Sequence, residues 1–211
     1  MKSNEEYEIV LQHFRAGKSL WRSWMNAHLS GLNLVSPVLD MGAGAEGTAS
    51  YHGLIAFRKG AHFYSVDICS EKSPSLVADL EKGIPVKDSS LGTCLAFNLF
   101  EHVFSYQKLF GEIYRVLKTG GKLFITVPFL VRVHADPSDY FRYTGSGIER
   151  ALSDAGFSMI SVFACGSGAV SAALGQVDFL VPKPLRGFFL RAAFHLDRLI
   201  SMRSGGKYRN A

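Results

Sequence analysis

The sequence has little of what defines several protein classes. Its three cysteines, Cys69, Cys94 and Cys165, lie far apart and include no C-x-x-C pair. This argues against a disulfide framework and against a thiolate zinc site. We therefore expect thiols in the protein core, a reducing cytoplasmic compartment and no bound metal.

Long apolar runs and an apolar leader are also lacking. The first residues show no basic start followed by an apolar core and a cleavage site, so we expect no secretory signal. The most apolar late stretch is interrupted by Gln176 and Asp178, which leaves no run long enough to span a bilayer. No internal repeat is found. With 211 residues, 47% of them hydrophobic and 19% charged, we expect one globular domain over 1–211.

Net positive charge is lacking outside the end of the chain. Residues 178–211 hold seven Lys and Arg against two Asp, a net of +5, which equals the formal charge of the whole chain. This basic tail contains an amphipathic run over 185–200. Three interpretations are open: a cover over the domain, which we favour, a membrane-surface contact through 185–209, or a nucleic-acid contact. No nucleic-acid-reading module is visible.

The order of apolar patterns predicts the fold class. Residues 4–31 carry an apolar stripe at helical spacing, as one helix or two helices broken near Gly17, packed on the domain or acting as a lid. Strands are predicted over 35–41, 61–67, 92–97, 122–127 and 157–164, and helices over 46–58, 105–117, 148–155 (capped by Thr144 or Ser146) and 185–200. Alternation of this kind predicts an α/β fold with a doubly wound, mostly parallel sheet, helices on both faces, and helical additions at both ends.

Glycines follow the first predicted strand at once. The apolar run that begins at Pro37 ends in Asp40 and continues into Gly42, Gly44 and Gly47. Glycine allows a tight turn and a close approach of backbone to ligand. The same spacing also fits a dinucleotide-binding turn, so it does not by itself identify the ligand.

Polar side chains end the other predicted strands. Asp40, Asp67, Asp79 and Asn98 fall at or just beyond strand ends, and ligands of doubly wound sheets bind outside the carboxyl ends of the strands. Three carboxylates suit a ligand with hydrogen-bond donors and a positive charge better than a pyrophosphate. The pattern therefore favours a cationic ligand.

At this point the sequence resembles the class I S-adenosylmethionine-dependent methyltransferases, particularly the small-molecule branch often called type 11. The resemblance covers about 35–165 and rests on five motifs in order, 38–44, 66–67, 78–80, 97–103 and 115–123. It implies a Rossmann-like three-layer sandwich with cofactor-binding core 35–165, and S-adenosylmethionine as cofactor. The family usually ends in a strand pair. Here 201–211 is not β-rich, so either 175–181 supplies the last strand or the chain ends before it.

The resemblance also implies roles for the strand-end residues. The turn at Gly42 and Gly44 would pass under the methionine part of the cofactor, with Asp40 helping to hold its amino end. Asp67 would bind the ribose hydroxyls. Asp79 and the backbone of Leu80 would bind the adenine edge, and Asn98 would lie near the methionine amine and the sulfonium.

A polar and aromatic segment follows the strand after Asn98. His134 is our candidate base, since imidazole titrates near neutrality, with Asp136 and Tyr140 as further catalytic candidates. On the acceptor side we place His102, Asp139 and Arg142. A similar block occurs in bacterial members of the type 11 branch with poorly defined acceptors. The alternative is that the aromatic rings pack the segment down and the charges form a surface network.

Three functions are compatible with the sequence. The leading hypothesis is methyl transfer from S-adenosylmethionine to a small-molecule or glycan-like acceptor. A nicotinamide-dependent oxidoreductase is the second, with Asp67 on the ribose, although Asp40 and the 98–102 segment count against it. The third is a non-catalytic cofactor-binding protein that docks through its basic tail.

Overall fold

The computed structural model describes residues 4–29, 31–45, 47, 49–55 and 61–203. Contacts divide the chain into two compact units. The sheet unit comprises the described residues of 31–129 and 133–162, and the helical unit those of 4–29, 130–132 and 163–203. The prediction of one domain over the whole chain stays a prediction.

The sheet unit is built on five parallel strands. They are β1 (Val38–Met41), β2 (Phe63–Asp67), β3 (Leu76–Val77), β4 (Leu91–Phe97) and β5 (Leu117–Thr126). Their order across the sheet is β3-β2-β1-β4-β5, and every pairing is parallel. The chain thus builds outward from β1 to one side and then returns to β4 on the other. The carboxyl ends of β1 and β4 meet at this switch point, where doubly wound sheets bind their ligands.

The two central strands, β1 and β4, are buried along their whole length. All four residues of β1 and all seven of β4 are buried, as expected for parallel strands. The pairing of β4 with β5 shifts register between Leu91 and Thr93, and it is regular from Lys122 onward. The regular part begins where the sequence predicted the strand.

Two helices belong to the sheet unit, α3 (Tyr106–Val116) and α4 (Gly145–Asp154). The buried side of α3 carries Leu109, Phe110 and Ile113 at helical spacing, and Phe110 stacks on Phe100 with ring centroids 4.2 Å apart. The hydroxyl of Thr144 accepts a hydrogen bond from the amide of Gly147, which caps α4. The predicted helices over 105–117 and 148–155, and Thr144 as the cap, are confirmed.

The helical unit contains α1 (Asn4–Arg15), α2 (Leu20–Leu29), α5 (Ala169–Val177) and α6 (Lys183–Arg203). The predicted break near Gly17 is confirmed. Its apolar core includes Phe14, Trp24 and Leu190. Buried Arg186 donates to the carbonyl oxygens of Phe14 and Lys18 at 3.3 and 2.8 Å, and so fastens α6 to the end of α1.

Two secondary-structure predictions are wrong, and one open alternative is excluded. Residues 157–164 form no strand, and Met159 there has a φ of 53° with a side chain 97% exposed. Of the helix predicted over 46–58, the described residues 49–55 contain only a single 3-10 turn, His52–Leu54, while 46, 48 and 56–58 lie outside the described residues. Of the two alternatives for the last strand, the one at 175–181 is excluded, because these residues end α5 and form a 3-10 turn.

The position of one thiol differs from expectation. Cys94 is buried, but Cys165 is exposed, so the prediction of three core thiols is wrong for Cys165. In the helices that the described residues form, no segment combines the length and the apolar character needed to cross a membrane. Residues 204–209 of the basic tail lie outside the described residues, and its role stays a prediction.

Candidate functional site

The predicted glycine turn lies directly after β1. Gly42, Gly44 and Gly47 all have positive φ, of 78°, 71° and 80°. The amide of Gly42 donates to the carbonyl of Val66 at 2.8 Å, so the turn stays attached to the end of β2. A Cβ on Gly42 would lie 3.1 Å from Cδ1 of Leu99. Both the φ value and this contact explain why glycine stands there.

Asp40 lies beneath the turn and is fully buried. Its carboxylate accepts hydrogen bonds from the hydroxyl of Tyr51 at 2.9 Å and from Nε2 of His52 at 2.7 Å. Burial raises the pKa of Asp40, while the hydrogen bonds from His52 and Tyr51 act in the opposite direction. Its predicted contact with the amino end of the cofactor stays a prediction, because here its neighbours are protein groups.

Asp67 ends β2 and faces the same turn. Its Oδ2 accepts from the amide of Gly44 at 3.2 Å and its Oδ1 from the amide of Cys69 at 2.9 Å. Nζ of Lys72 lies 3.5 Å from Asp67 Oδ2 and 3.7 Å from Oδ2 of Asp136. The structure therefore brings Asp67 next to the glycine turn, as predicted, and places Asp136 on the far side of Lys72.

Asp79 and Leu80 follow β3, at one side of the sheet. Oδ1 of Asp79 accepts from the amide of Glu81 at 3.1 Å, and Nζ of Lys82 lies 3.3 Å from Oδ2. Leu80 is buried. The hydrogen bond to Glu81 is turn chemistry that aspartate performs in many loops, so the geometry explains Asp79 even without a ligand.

Asn98 ends β4 at the switch point. It has a φ of 55°, which is uncommon outside glycine. Its amide donates to the carbonyl of Thr126 at 2.9 Å, and the Thr126 hydroxyl lies 3.4 Å from Oδ1 of Asn98. The residue is thus held between the ends of β4 and β5.

Residues 133–144 lie against the turn that follows Asn98. The amide of Tyr140 donates to the carbonyl of Glu101 at 2.7 Å, and the hydroxyl of Tyr143 donates to the carbonyl of Phe100 at 3.0 Å. The ring of Tyr140 packs against Phe104 with centroids 5.3 Å apart, and its side chain remains 48% exposed. Aromatic packing therefore does hold this segment down, and it leaves Tyr140 accessible.

Asp139 and Arg142 form a bidentate ion pair within this segment. Their N–O distances are 2.5 Å for Nη1 to Oδ1 and 2.7 Å for Nη2 to Oδ2. The hydrogen bonds from Arg142 hold the pKa of Asp139 well below its usual range. Oδ2 of Asp139 also accepts from the backbone amide of His134 at 2.7 Å. Both predicted acceptor-side residues therefore have each other as partners and fix the backbone of His134.

Two predicted site histidines come together at a glutamate that sequence reasoning missed. Nε2 of His134 lies 3.7 Å from Oε1 of Glu101, and Nε2 of His102 lies 3.9 Å from the same atom. The rings of His102 and His134 are perpendicular, with centroids 5.3 Å apart. Glu101 is fully buried, whereas both histidines are half-buried. The signal available in the sequence was an acidic residue, Glu101, within a mostly apolar stretch.

Comparison with known proteins identifies the class of this fold and site. Residues 39–125 match the family model described as the methyltransferase domain. The range includes residues 39–41 of β1, the glycine turn, Asp67 and Asn98. Over this range the predicted resemblance to the class I S-adenosylmethionine-dependent methyltransferases is confirmed, and residues 39–125 form a methyltransferase domain of this kind with a Rossmann-like fold. Its cofactor is S-adenosylmethionine.

Solved structures share the fold at low identity. One match is a chain of the complex between the Haloferax volcanii Trm112 methyltransferase activator and a methyltransferase. It is 19% identical, with a TM-score of 0.53, and the match covers 81% of this chain and 86% of that one. A SAM-dependent methyltransferase from Aquifex aeolicus is 21% identical, with a TM-score of 0.51, and the match covers 78% of this chain and 88% of that one. The [4+2]-cyclase SpnF is 16% identical, with a TM-score of 0.53, and the match covers 90% of this chain and 80% of that one. No curated protein matches the chain.

Proposed function

We propose that this enzyme transfers the methyl group of S-adenosylmethionine to a small-molecule or glycan-like acceptor held by residues 133–144. One observation carries the proposal. The segment is bonded to the turn at 100–101, two residues beyond Asn98, while its Asp136 shares Lys72 with Asp67. Polar side chains of the segment therefore lie beside the carboxyl edge of β2 and β4, where the fold binds ligands.

The residues at this edge fit the cofactor. In our proposal, the turn at Gly42 and Gly44 passes under the methionine part, and Asp67 receives the ribose hydroxyls in place of the half-exposed Lys72 ammonium. Asp79 and the backbone of Leu80 take the adenine edge. Asn98, fixed by Thr126, lies near the sulfonium. Asp40 acts on the amino end of the cofactor, either directly or by holding the turn through His52.

Alignment is the main requirement of the reaction. The sulfonium already activates the methyl carbon, so the acceptor atom must lie in line with the carbon–sulfur bond. Positioning of this kind contributes roughly 7 to 11 kcal/mol to lowering a barrier. An acceptor hydroxyl must in addition lose its proton, for which a base typically contributes on the order of 10²- to 10⁴-fold.

His134 is the proposed base, and its surroundings support an orienting framework. Asp139 binds its backbone amide, and Nδ1 of His134 lies 3.5 Å from the Asp139 carboxylate. Arg142 holds that carboxylate in turn. Tyr140 and Asp136 are exposed and available to an acceptor.

Transfer of labelled methyl tests the acceptor class. The protein is incubated with S-adenosylmethionine carrying a labelled methyl group and with separate metabolite, glycan, lipid, protein and nucleic-acid fractions. We expect label in the metabolite or glycan fraction, and much less label with Asp67→Asn at the same cofactor concentration. Label confined to the lipid, protein or nucleic-acid fraction would overturn the acceptor assignment. Transfer in none of the fractions would favour a non-catalytic cofactor-binding protein.

A further inference from the structure

We propose that Glu101, His102 and His134 form a binding site for a divalent first-row transition-metal ion. One ligand atom from each residue lies within 4.8 Å of the other two. Two imidazoles and one carboxylate are a donor set that zinc and its neighbours use in catalytic sites, where they leave a coordination position for water or substrate. Such a set differs from the oxygen-only sites of magnesium and calcium.

The distances favour a shared ion over hydrogen bonds. The two Nε2 atoms approach Oε1 of Glu101 at 3.7 and 3.9 Å, which is longer than a hydrogen bond. A tetrahedral zinc ion with bonds of about 2.1 Å places neighbouring ligand atoms roughly 3.4 Å apart. The two distances to Oε1 exceed this separation by about 0.3 and 0.5 Å, and the ligand atoms of the two imidazoles lie within 4.8 Å of each other, so the imidazoles must move closer together to coordinate one ion.

The second nitrogen of each imidazole faces an acceptor group, and that of His102 is hydrogen-bonded to it. Nδ1 of His102 lies 2.6 Å from the carbonyl oxygen of Ser138. A carbonyl accepts only, so this nitrogen carries the proton and Nε2 of the neutral ring has the lone pair. Nδ1 of His134 lies 3.5 Å from the Asp139 carboxylate, which places an acceptor group on that side of the ring at a distance longer than a hydrogen bond. Metal-binding histidines are usually oriented by such carbonyl and carboxylate partners.

The fold keeps the three ligands in place. Glu101 and His102 lie in a 3-10 turn, Phe100–His102, and Tyr140 is bonded to the carbonyl of Glu101. Glu101 is fully buried in the same unit, and a cation beside a buried carboxylate is favourable. Arg142, which is paired with Asp139, also acts electrostatically on Glu101, so a metal ion would add to this charge.

A role of the ion in methyl transfer rests on the proposed function, whereas its binding does not. An ion held here, beside the acceptor segment, would lower the pKa of a coordinated acceptor hydroxyl. His134 would then act as a ligand in place of the base role proposed above, and the proton of the coordinated hydroxyl would pass to solvent water. The test therefore measures binding alone, without any acceptor.

Zinc is titrated into chelator-treated protein, with calorimetry in a competing buffer, and bound metal is counted by mass spectrometry after desalting. We expect one equivalent in the native protein and in the control His62→Asn, whose residue is exposed in the same unit. Glu101→Gln and His134→Gln should bind on the order of 100-fold more weakly, and Asp139→Asn about 10- to 100-fold. Equal affinity in the native and variant proteins would overturn the proposal.

A measurement on the native protein covers the case in which a variant fails to fold. Of the seven histidines, two ring signals in imidazole nitrogen NMR spectra should shift together on addition of one equivalent of zinc. Cobalt should give a visible spectrum with nitrogen and oxygen ligands. No saturable shift and no spectrum would contradict the site. Binding of S-adenosylhomocysteine, recorded in parallel, reports separately on the cofactor site.

Discussion

His52 connects the buried carboxylate of Asp40 to the glycine turn. Its Nδ1 lies 2.8 Å from the amide of Gly47, which donates to it. Its Nε2 must therefore carry the proton that bonds to Oδ2 of Asp40 at 2.7 Å in the neutral ring. The imidazole thus links β1 to the glycine turn by two hydrogen bonds. This structural role accounts for an aspartate at position 40, as a contact with a ligand also would.

Removing this connection should loosen the turn. We expect His52→Leu to lower the free energy of unfolding by about 1 to 3 kcal/mol, because Asp40 keeps its burial but loses a donor. Affinity for S-adenosylhomocysteine should fall in parallel. Urea unfolding and calorimetry measure the two effects. Tyr51→Phe, which removes only a hydroxyl, should cost less, and an unchanged His52→Leu protein would refute the connection.

Gly42 should not tolerate a side chain. Its φ of 78° and the contact with Leu99 lead us to expect at least about tenfold weaker cofactor binding for Gly42→Ala. Gly111→Ala is the matched control, since nothing lies within 4 Å of its added Cβ in the exposed side of α3. That change should raise stability by roughly 0.5 to 1 kcal/mol. Equal cofactor affinities in both variants would show that the turn does not approach the ligand.

Asp67 and Asp79 should differ in importance. Asp67 is buried at the carboxyl end of β2. The side chain of Asp79 is 30% exposed and already accepts a hydrogen bond from the amide of Glu81. We expect Asp67→Asn to weaken S-adenosylhomocysteine binding by about 10- to 100-fold, as a hydrogen bond to a charged group is worth roughly 1.5 to 3 kcal/mol. Asp79→Asn should have a smaller effect. The reverse order in calorimetric titrations would contradict the ribose assignment.

Glu112 should make stability depend on acid pH. Its carboxylate binds Arg115 at 2.8 and 2.7 Å and accepts from the amide of Ile84, and the hydrogen bonds from Arg115 lower its pKa to about 2. A lowered pKa stabilises the folded state above the ordinary value near 4.5, and this contribution is lost as pH falls from there to about 2.

The variant Glu112→Gln should therefore be less stable than the native protein at pH 7, by roughly 1 to 2 kcal/mol. The two proteins should converge as pH approaches 2. Arg150→Gln, which disrupts the exposed pair with Asp154, serves as the control and should change stability little. Parallel pH profiles for native and Glu112→Gln proteins would show that the pair contributes nothing.

The sequence was most informative where local chemistry determines structure. An apolar run before glycines predicts a strand and a turn, because few other residues adopt the φ values found at Gly42 and Gly44. The buried stripe of α3 and the cap at Thr144 follow local rules of the same kind. Asp67 and Asn98 could be predicted because strand ends of a parallel sheet meet at one edge.

Other features depend on contacts between distant segments. Residues 157–164 have strand-like composition, but a strand requires a hydrogen-bonded neighbour, and composition does not supply one. The helix predicted over 46–58 is replaced in its described part by the turn that holds His52 against Asp40. Glu101 and His134 lie far apart in the sequence, so only the folded chain shows that Nε2 of His134 is 3.7 Å from Oε1 of Glu101.

Cofactor choice is the most direct test of the central claim, that the turn after β1 and Asp67 form an S-adenosylmethionine site. Calorimetric titration of the native protein with S-adenosylhomocysteine and, separately, with NAD distinguishes it from a dinucleotide site of the same glycine spacing. We predict one equivalent of bound S-adenosylhomocysteine, with affinity about 10- to 100-fold lower in Asp67→Asn, and no binding of NAD. Saturable NAD binding without binding of S-adenosylhomocysteine would contradict the account.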